Sequence, residues 1–342
     1  MKLREMILKL AAASGPSGFE AGARTLAEEW MAPLVDEMRT DVMGNLIGIR
    51  RSHKENAPTV MLDAHLDEIG LIVTGYEKGF LRFSAIGGVD ARMLPALEVK
   101  LLTEEPMYGV IDVLPPHVLS AEDQEKPLAA DKLFIDVGLD EEAVKTAVPI
   151  GTPVVFSVPV TELGEHQICG KSLDDRSCAA ILLKVLEKTQ DKKLPVNVAV
   201  CLASQEEVGC RGAVTAAFSI APEAAIAVDV THGHTPDAPK HKTVAMNGGP
   251  AIGIGPNMTR RISDRLAEIC RENDMPYQPD VCAAHSGTDA WPIQISREGV
   301  ATGVVSLPLK YMHTPVETLD IRDAKAIVEL LCIWLETYGK ED

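Results

Sequence analysis

Five short passages of this sequence combine histidine, aspartate and glutamate. They are Asp63-Ala64-His65-Leu66-Asp67-Glu68, Leu173-Asp174-Asp175-Arg176, Ser204-Gln205-Glu206-Glu207, Val228-Asp229-Val230 and Tyr311-Met312-His313-Thr314. Neutral imidazole and carboxylate are good ligands for divalent zinc, cobalt or manganese, and a catalytic site keeps one position open for water or substrate. Two such ions about 3.5–4 Å apart can share one carboxylate and one hydroxide, while an ion polarises the scissile carbonyl. One further carboxylate must accept the water's proton and pass it to the leaving amine. These residue types therefore point to metal-assisted hydrolysis.

Residues so far apart meet only if the fold gathers them. Apolar runs at 59–64, 196–203, 224–228 and 300–306 read as buried parallel strands, and helix candidates lie at 177–188, 207–218, 259–273 and 321–338. The alternation predicts an α/β domain, a mostly parallel sheet with helices on both faces. In such a sheet the strand C-termini open on one crevice, where ligands bind. His65, Glu206, Glu207 and Asp229 each follow a predicted strand closely; residues 307–312 intervene before His313. Leu3, Met6, Ile7 and Leu10 fall at helical spacing and Lys9 interrupts the apolar stretch. The N-terminus thus reads as an amphipathic helix ending near Gly15-Pro16, not as a signal peptide.

The stretch 71–160 has another texture, with shorter apolar runs broken by Gly79, Gly87-Gly88, Pro95, Gly109, Pro115-Pro116, Gly138 and Gly151-Thr152-Pro153. It reads as a small β-rich domain, barrel or PDZ-like, inserted into a catalytic domain made of residues 1–70 and 161–342. The net charge of −17 argues against nucleic acid and anionic membrane surfaces as partners. No apolar run approaches the roughly 20 residues that span a bilayer. Seven cysteines without a C-x-x-C pair fit a reducing cytoplasm better than a disulfide framework. Gly248-Gly249-Pro250 and Gly253-Ile254-Gly255-Pro256 do not make a dinucleotide fingerprint, so hydrolysis is favoured over redox chemistry.

Taken in order, DAHLDEIGLIV (63–73), GKSLDDRS (170–177), SQEEVGCRGA (204–213), AVDV (227–230) and YMHTPVE (311–317) resemble the signature passages of one family. It is the tetrahedral and glutamyl-aminopeptidase family of dinuclear metallo-aminopeptidases, some of whose members carry an endoglucanase label. The resemblance runs from Ser17-Gly18-Phe19-Glu20 to the C-terminal helix. It implies a zinc-exopeptidase, phosphorylase/hydrolase-like fold with an inserted β-rich dimerisation domain, and a homo-oligomer of dimers assembling into a dodecamer. It also implies two divalent ions per subunit, zinc or cobalt first and manganese next. Carried over by position, Asp174 would bridge both ions, His65 and Asp229 would complete one site, and Glu207 and His313 the other. Glu206 would be the general base and then the general acid, and Asp67 would hydrogen-bond the His65 imidazole. The implied substrates are short peptides with a free N-terminus.

Cys178 and Cys210 depart from the small residues expected beside these motifs, and Lys310 stands where the family often has arginine. His232, His234, His241 and His285 form a tempting further ligand set, but their glycine- and proline-rich surroundings read as a surface loop near the pocket. His117 reads as a turn residue of the inserted domain, and Asp175 and Arg176 as supports for the loop around Asp174. Three other functions remain open. A glycosidase needs two carboxylates flanking one bond and has no use for two histidines. A related deacylase or carboxypeptidase would use the same metal chemistry on another amide. A peptide-binding scaffold would carry a dead site. The preferred N-terminal side chain, acidic, basic or aliphatic, is likewise open; Arg260 and Arg261 read as exposed helix arginines.

Overall fold

The computed structural model describes residues 1–118 and 129–339. Among them, eleven strands form one sheet around a parallel centre. In spatial order that centre is Asn197–Ala203, Thr59–His65, Ala224–His232 and Ala301–Lys310. These are the four apolar runs read as strands, and their side chains alternate between two cores as the pleat requires. Val60, Leu62 and Ala64 face the larger core, built with residues of helices Leu3–Ala12, Leu173–Thr189 and Ile321–Thr337. Met61, Cys201 and Ala225 face the smaller one, with Ala213, Ala216 and Ala217 of helix Arg211–Ile220 and Ile293 of helix Ala290–Gln294. Helices therefore cover both faces.

Antiparallel strands extend the sheet at its margins and make it mixed. Leu46–Arg50 and Glu37–Thr40 continue one side. Glu317–Asp320, Gln167–Gly170 and Thr161–Leu163 continue the other. Helix Leu173–Thr189 is buried along nearly its whole length, its apolar run 178–183 together with the charged Asp174, Asp175 and Arg176 of its first turn. It packs between the N- and C-terminal helices.

The helix expected over 207–218 begins only at Arg211. Gln205, Gly209 and Cys210 all have positive φ, so residues 204–210 form a tight turn that a continuous helix would not allow. Glu206 and Glu207 stand on that turn, not in a first helical turn.

Strands Gly70–Glu77, Phe80–Ile86, Glu98–Leu101, Met107–Ile111, Ile135–Asp136 and Pro153–Phe156 close into a separate barrel with antiparallel pairings. It has its own core, including Leu71, Leu81, Val99, Ile135 and Phe156. This is the small β-rich insertion the glycine and proline punctuation suggested. Among the described residues no helix is long and apolar enough to cross a membrane. All seven cysteines are unpaired.

Candidate metal centre

His65 ends its strand, and Glu206 and Glu207 follow the end of the neighbouring strand, where Ala203 is in register with His65. Asp229 lies near the same end of the next strand, and His313 follows Lys310 at the end of the fourth. Asp174 comes from elsewhere. It opens the central helix, where Asp174 and Asp175 have non-helical backbone angles that turn their carboxylates toward the strand ends.

Asp174 lies between the two imidazoles. Its Oδ1 is 3.1 Å from His65 Nε2 and its Oδ2 is 3.3 Å from His313 Nε2. His313 Nε2 also lies 3.3 Å from Glu207 Oε1, and His65 Nε2 lies 3.8 Å from Glu206 Oε2. Ligand atoms of His65, Asp174 and Glu207 fall within 4.8 Å of one another, as do those of His65, Asp175 and Asp229. The cleft they open on has a volume of about 490 Å³.

Five carboxylates thus crowd around two imidazoles, His65 buried and His313 half-buried. Among the described residues, no lysine or arginine forms an ion pair with Asp174, Asp175, Glu206, Glu207 or Asp229. Burial, then the negative charge of Asp174, pushes Glu207 up to about 8. Burial also raises Glu206, and raises Asp229 and Asp175 well above the usual carboxylate range. The hydrogen bond to Asp174 lifts His313 to about 9. For Asp174 itself burial acts upward, but the hydrogen bonds from His313 and His65 outweigh it and hold the carboxyl low. A cluster so short of positive charge, built of imidazole nitrogens and carboxylate oxygens, fits divalent cations.

The supporting groups are equally specific. Asp67 Oδ1 accepts the Glu206 N–H at 3.0 Å, and its Oδ2 accepts the Glu207 N–H at 3.1 Å and the Ser17 hydroxyl at 2.5 Å. His65 Nδ1 has the Asp67 backbone carbonyl at 3.2 Å and the Asp67 carboxylate at 3.4 Å. One aspartate therefore orients the imidazole and holds the turn that carries both glutamates. Asp175 Oδ2 accepts the His65 N–H at 3.1 Å, a support on the same loop. Cys210 donates its thiol to Glu206 Oε1 at 3.2 Å.

Sequence reasoning passed over Glu317 and Glu68. Buried Glu317 accepts the N–H groups of Leu173, Asp174 and His313 at 2.7, 3.1 and 2.9 Å, fixing two candidate ligands at once. Glu68 binds Lys171, Arg176 and Ser172 beneath the cleft. Both acids sit in passages already singled out, YMHTPVE and DAHLDEIG, but only the folded contacts reveal their tasks. His232 and His285 line the cleft, His241 lines an adjoining cavity, and His234 lies beside the Thr243 hydroxyl. None of them, nor His117, belongs to a ligand cluster among the described residues.

The profile of the M42 glutamyl aminopeptidase family matches residues 44–330. The chain belongs to that family. It is 36% identical over 338 residues to the lysyl aminopeptidase of Pyrococcus furiosus, covering 97% of this chain and 96% of that one. Its fold superimposes on the aminopeptidase APDkam598 of the archaeon Desulfurococcus kamchatkensis with a TM-score of 0.91 at 37% identity, over 98% and 94% of the two chains. It also matches the TET1 peptidase of Pyrococcus horikoshii, which can assemble into a tetrahedron or a large octahedral shell. There the TM-score is 0.87 at 29% identity, covering 98% of this chain and 99% of that one. In both cases the likeness spans nearly the whole of this chain, sheet and inserted barrel together.

Proposed function

We propose that this M42 peptidase is a dinuclear metallo-aminopeptidase that removes residues from the free N-terminus of short peptides. The observation that carries the reading is Asp174 set between His65 and His313, with Glu206 and Glu207 beside it. Asp174 would bridge two divalent ions, zinc or cobalt, with manganese as an alternative; His65 and Asp229 would hold one, and Glu207 and His313 the other. Bound there, the ions would supply a nucleophilic water at neutral pH and polarise the scissile carbonyl.

The chain's own residues do the rest. Glu206 takes a proton from the attacking water and delivers it to the departing amine. Burial already raises its affinity for a proton, and the Cys210 thiol fixes one of its oxygens. Asp67 keeps Glu206 and Glu207 in place through their N–H groups and orients His65. The family and the named aminopeptidase relatives support the reaction class. Residues 1–70 and 161–342 form the catalytic domain in this reading, and residues 71–160 serve dimerisation. Assembly into a dodecamer is proposed from the tetrahedral particle of the Pyrococcus horikoshii relative. The seven unpaired cysteines support a cytoplasmic location.

The test is release of free amino acids from matched free-amine and N-acetylated dipeptides and tripeptides, with zinc, cobalt or manganese, with and without chelator. Metal-dependent cleavage of the free-amine set alone is expected. Cleavage of the acetylated set would make the protein a deacylase or carboxypeptidase, and no cleavage by metal-loaded protein would leave the peptide-binding scaffold.

A further inference from the structure

Among the described residues, the inserted barrel reaches the candidate centre at the turn Gly87-Gly88. Strand Phe80–Ile86 pairs back to the barrel's first residue, Gly70 with Ile86, and the chain then turns through Gly87 and Gly88. Gly87 has φ +76, and a methyl group there would meet Glu207 Cβ and Oε2 at 3.2 Å and Ile69 Cγ2 at 2.9 Å. Gly88 lies closer still to the other ligand. A methyl group on it would meet His313 Nδ1 at 2.6 Å and Cε1 at 3.0 Å, and its carbonyl accepts from His313 Nδ1 at 3.2 Å. That bond leaves Nε2 unprotonated in the neutral ring and aimed at Asp174 and Glu207.

The other ligand pair has no such contact. Among the described residues, the side-chain hydrogen bonds and ion pairs of His65 and Asp229 involve Asp67, Asp174, Asp175, Glu206 and Val230, all outside the barrel. The two sides of Asp174 are therefore built differently. One is supported wholly by the α/β domain. The other depends on where the inserted domain places two glycines.

We infer that Gly88 is a positioning residue for the Glu207–His313 metal position alone, through which the barrel controls occupancy of one of two ions. The inference rests on the dinuclear reading above.

The test is calorimetric zinc titration of metal-stripped, full-length protein, comparing the parent with Gly88→Ala, His313→Ala and the double variant. Gly88 lies outside the left-handed region, so alanine suits its backbone, and unchanged thermal unfolding of metal-free Gly88→Ala would show the fold kept. The parent is expected to bind two ions. Gly88→Ala should keep one at parental affinity and weaken the other by about 10–100-fold, the usual effect of disturbing a ligand's hydrogen-bond partner. With the His313 ring removed, the added methyl has nothing to displace and should change nothing further. Equal weakening of both ions, no weakening, or a Gly88→Ala effect of the same size without the ring would each overturn the inference. A parent that binds a single ion would overturn the dinuclear reading and this inference with it.

Discussion

Beneath the cleft, Glu68 accepts from the Gly15 N–H at 2.8 Å, Lys171 Nζ at 2.7 Å and Arg176 Nη2 at 3.0 Å, and from the Ser172 hydroxyl. All three charged groups are buried. Burial alone would raise the Glu68 carboxyl, yet attraction to Arg176 and then Lys171 holds it below its ordinary 4.5. A carboxylate lowered in the folded state stabilises the protein above its unfolded pKa, and that contribution is lost as pH falls through the folded value. Glu68→Gln should therefore cost about 3–5 kcal/mol near neutrality, because two cations stay buried without their partner. The gap between parent and variant should close below pH 4.5, which urea unfolding of the metal-free proteins across pH 7 to 3 would reveal. For catalysis, Glu206→Gln should lower kcat by about 10²–10⁴-fold and leave metal content unchanged. Full activity in that variant would remove Glu206 from the reaction. The seven proposed ligand and catalytic residues could be chosen from sequence because their motifs are local and ordered. Glu317 and Glu68 could not, because a carboxylate that binds backbone N–H groups and buried cations looks, in sequence, like any other acid.

At the level of elements, the turn 204–210 is the part that sequence periodicity misread. The apolar pattern after Glu206 is helical, but a left-handed Cys210 delays the helix to Arg211. Asn45 holds this turn from outside the segment. Its Oδ1 accepts the Ser204 N–H at 2.9 Å and its Nδ2 donates to the Gly212 carbonyl at 2.9 Å. A methyl group on Gly212 would lie 2.2 Å from Asn45 Oδ1 and 2.3 Å from the Ser204 carbonyl oxygen. Gly212→Ala should therefore destabilise the fold by about 1–3 kcal/mol, as overpacking does. It should also lower kcat by moving both glutamates, measurable by denaturant midpoint and steady-state rates on the same preparation. Unchanged stability would mean the turn has room that its contacts do not show. The parallel strands, in contrast, were legible because each is a continuous apolar run buried on both faces.

The described residues form one sheet domain carrying a barrel with a separate core, and the glycine and proline punctuation of the insertion is its signal in the sequence. The antiparallel margins were not legible, since short edge strands such as Thr161–Leu163 are exposed and lack an apolar signature. If the protein assembles as proposed, light scattering should give a dodecamer, and a dimer would rule out the closed particle. Short peptides should then be trimmed while folded proteins of the same N-terminal residue survive, an outcome read by mass spectrometry.

The Glu317 contacts have a temporal consequence. The carboxylate that fixes Asp174 and the histidine that faces it, at 317 and 313, are made after every other candidate ligand. A growing chain holds Asp67, Asp174 and Glu206 long before it can lock them together. The proposed centre is therefore complete only once the segment around 313–317 has docked against the start of the helix that Asp174 opens.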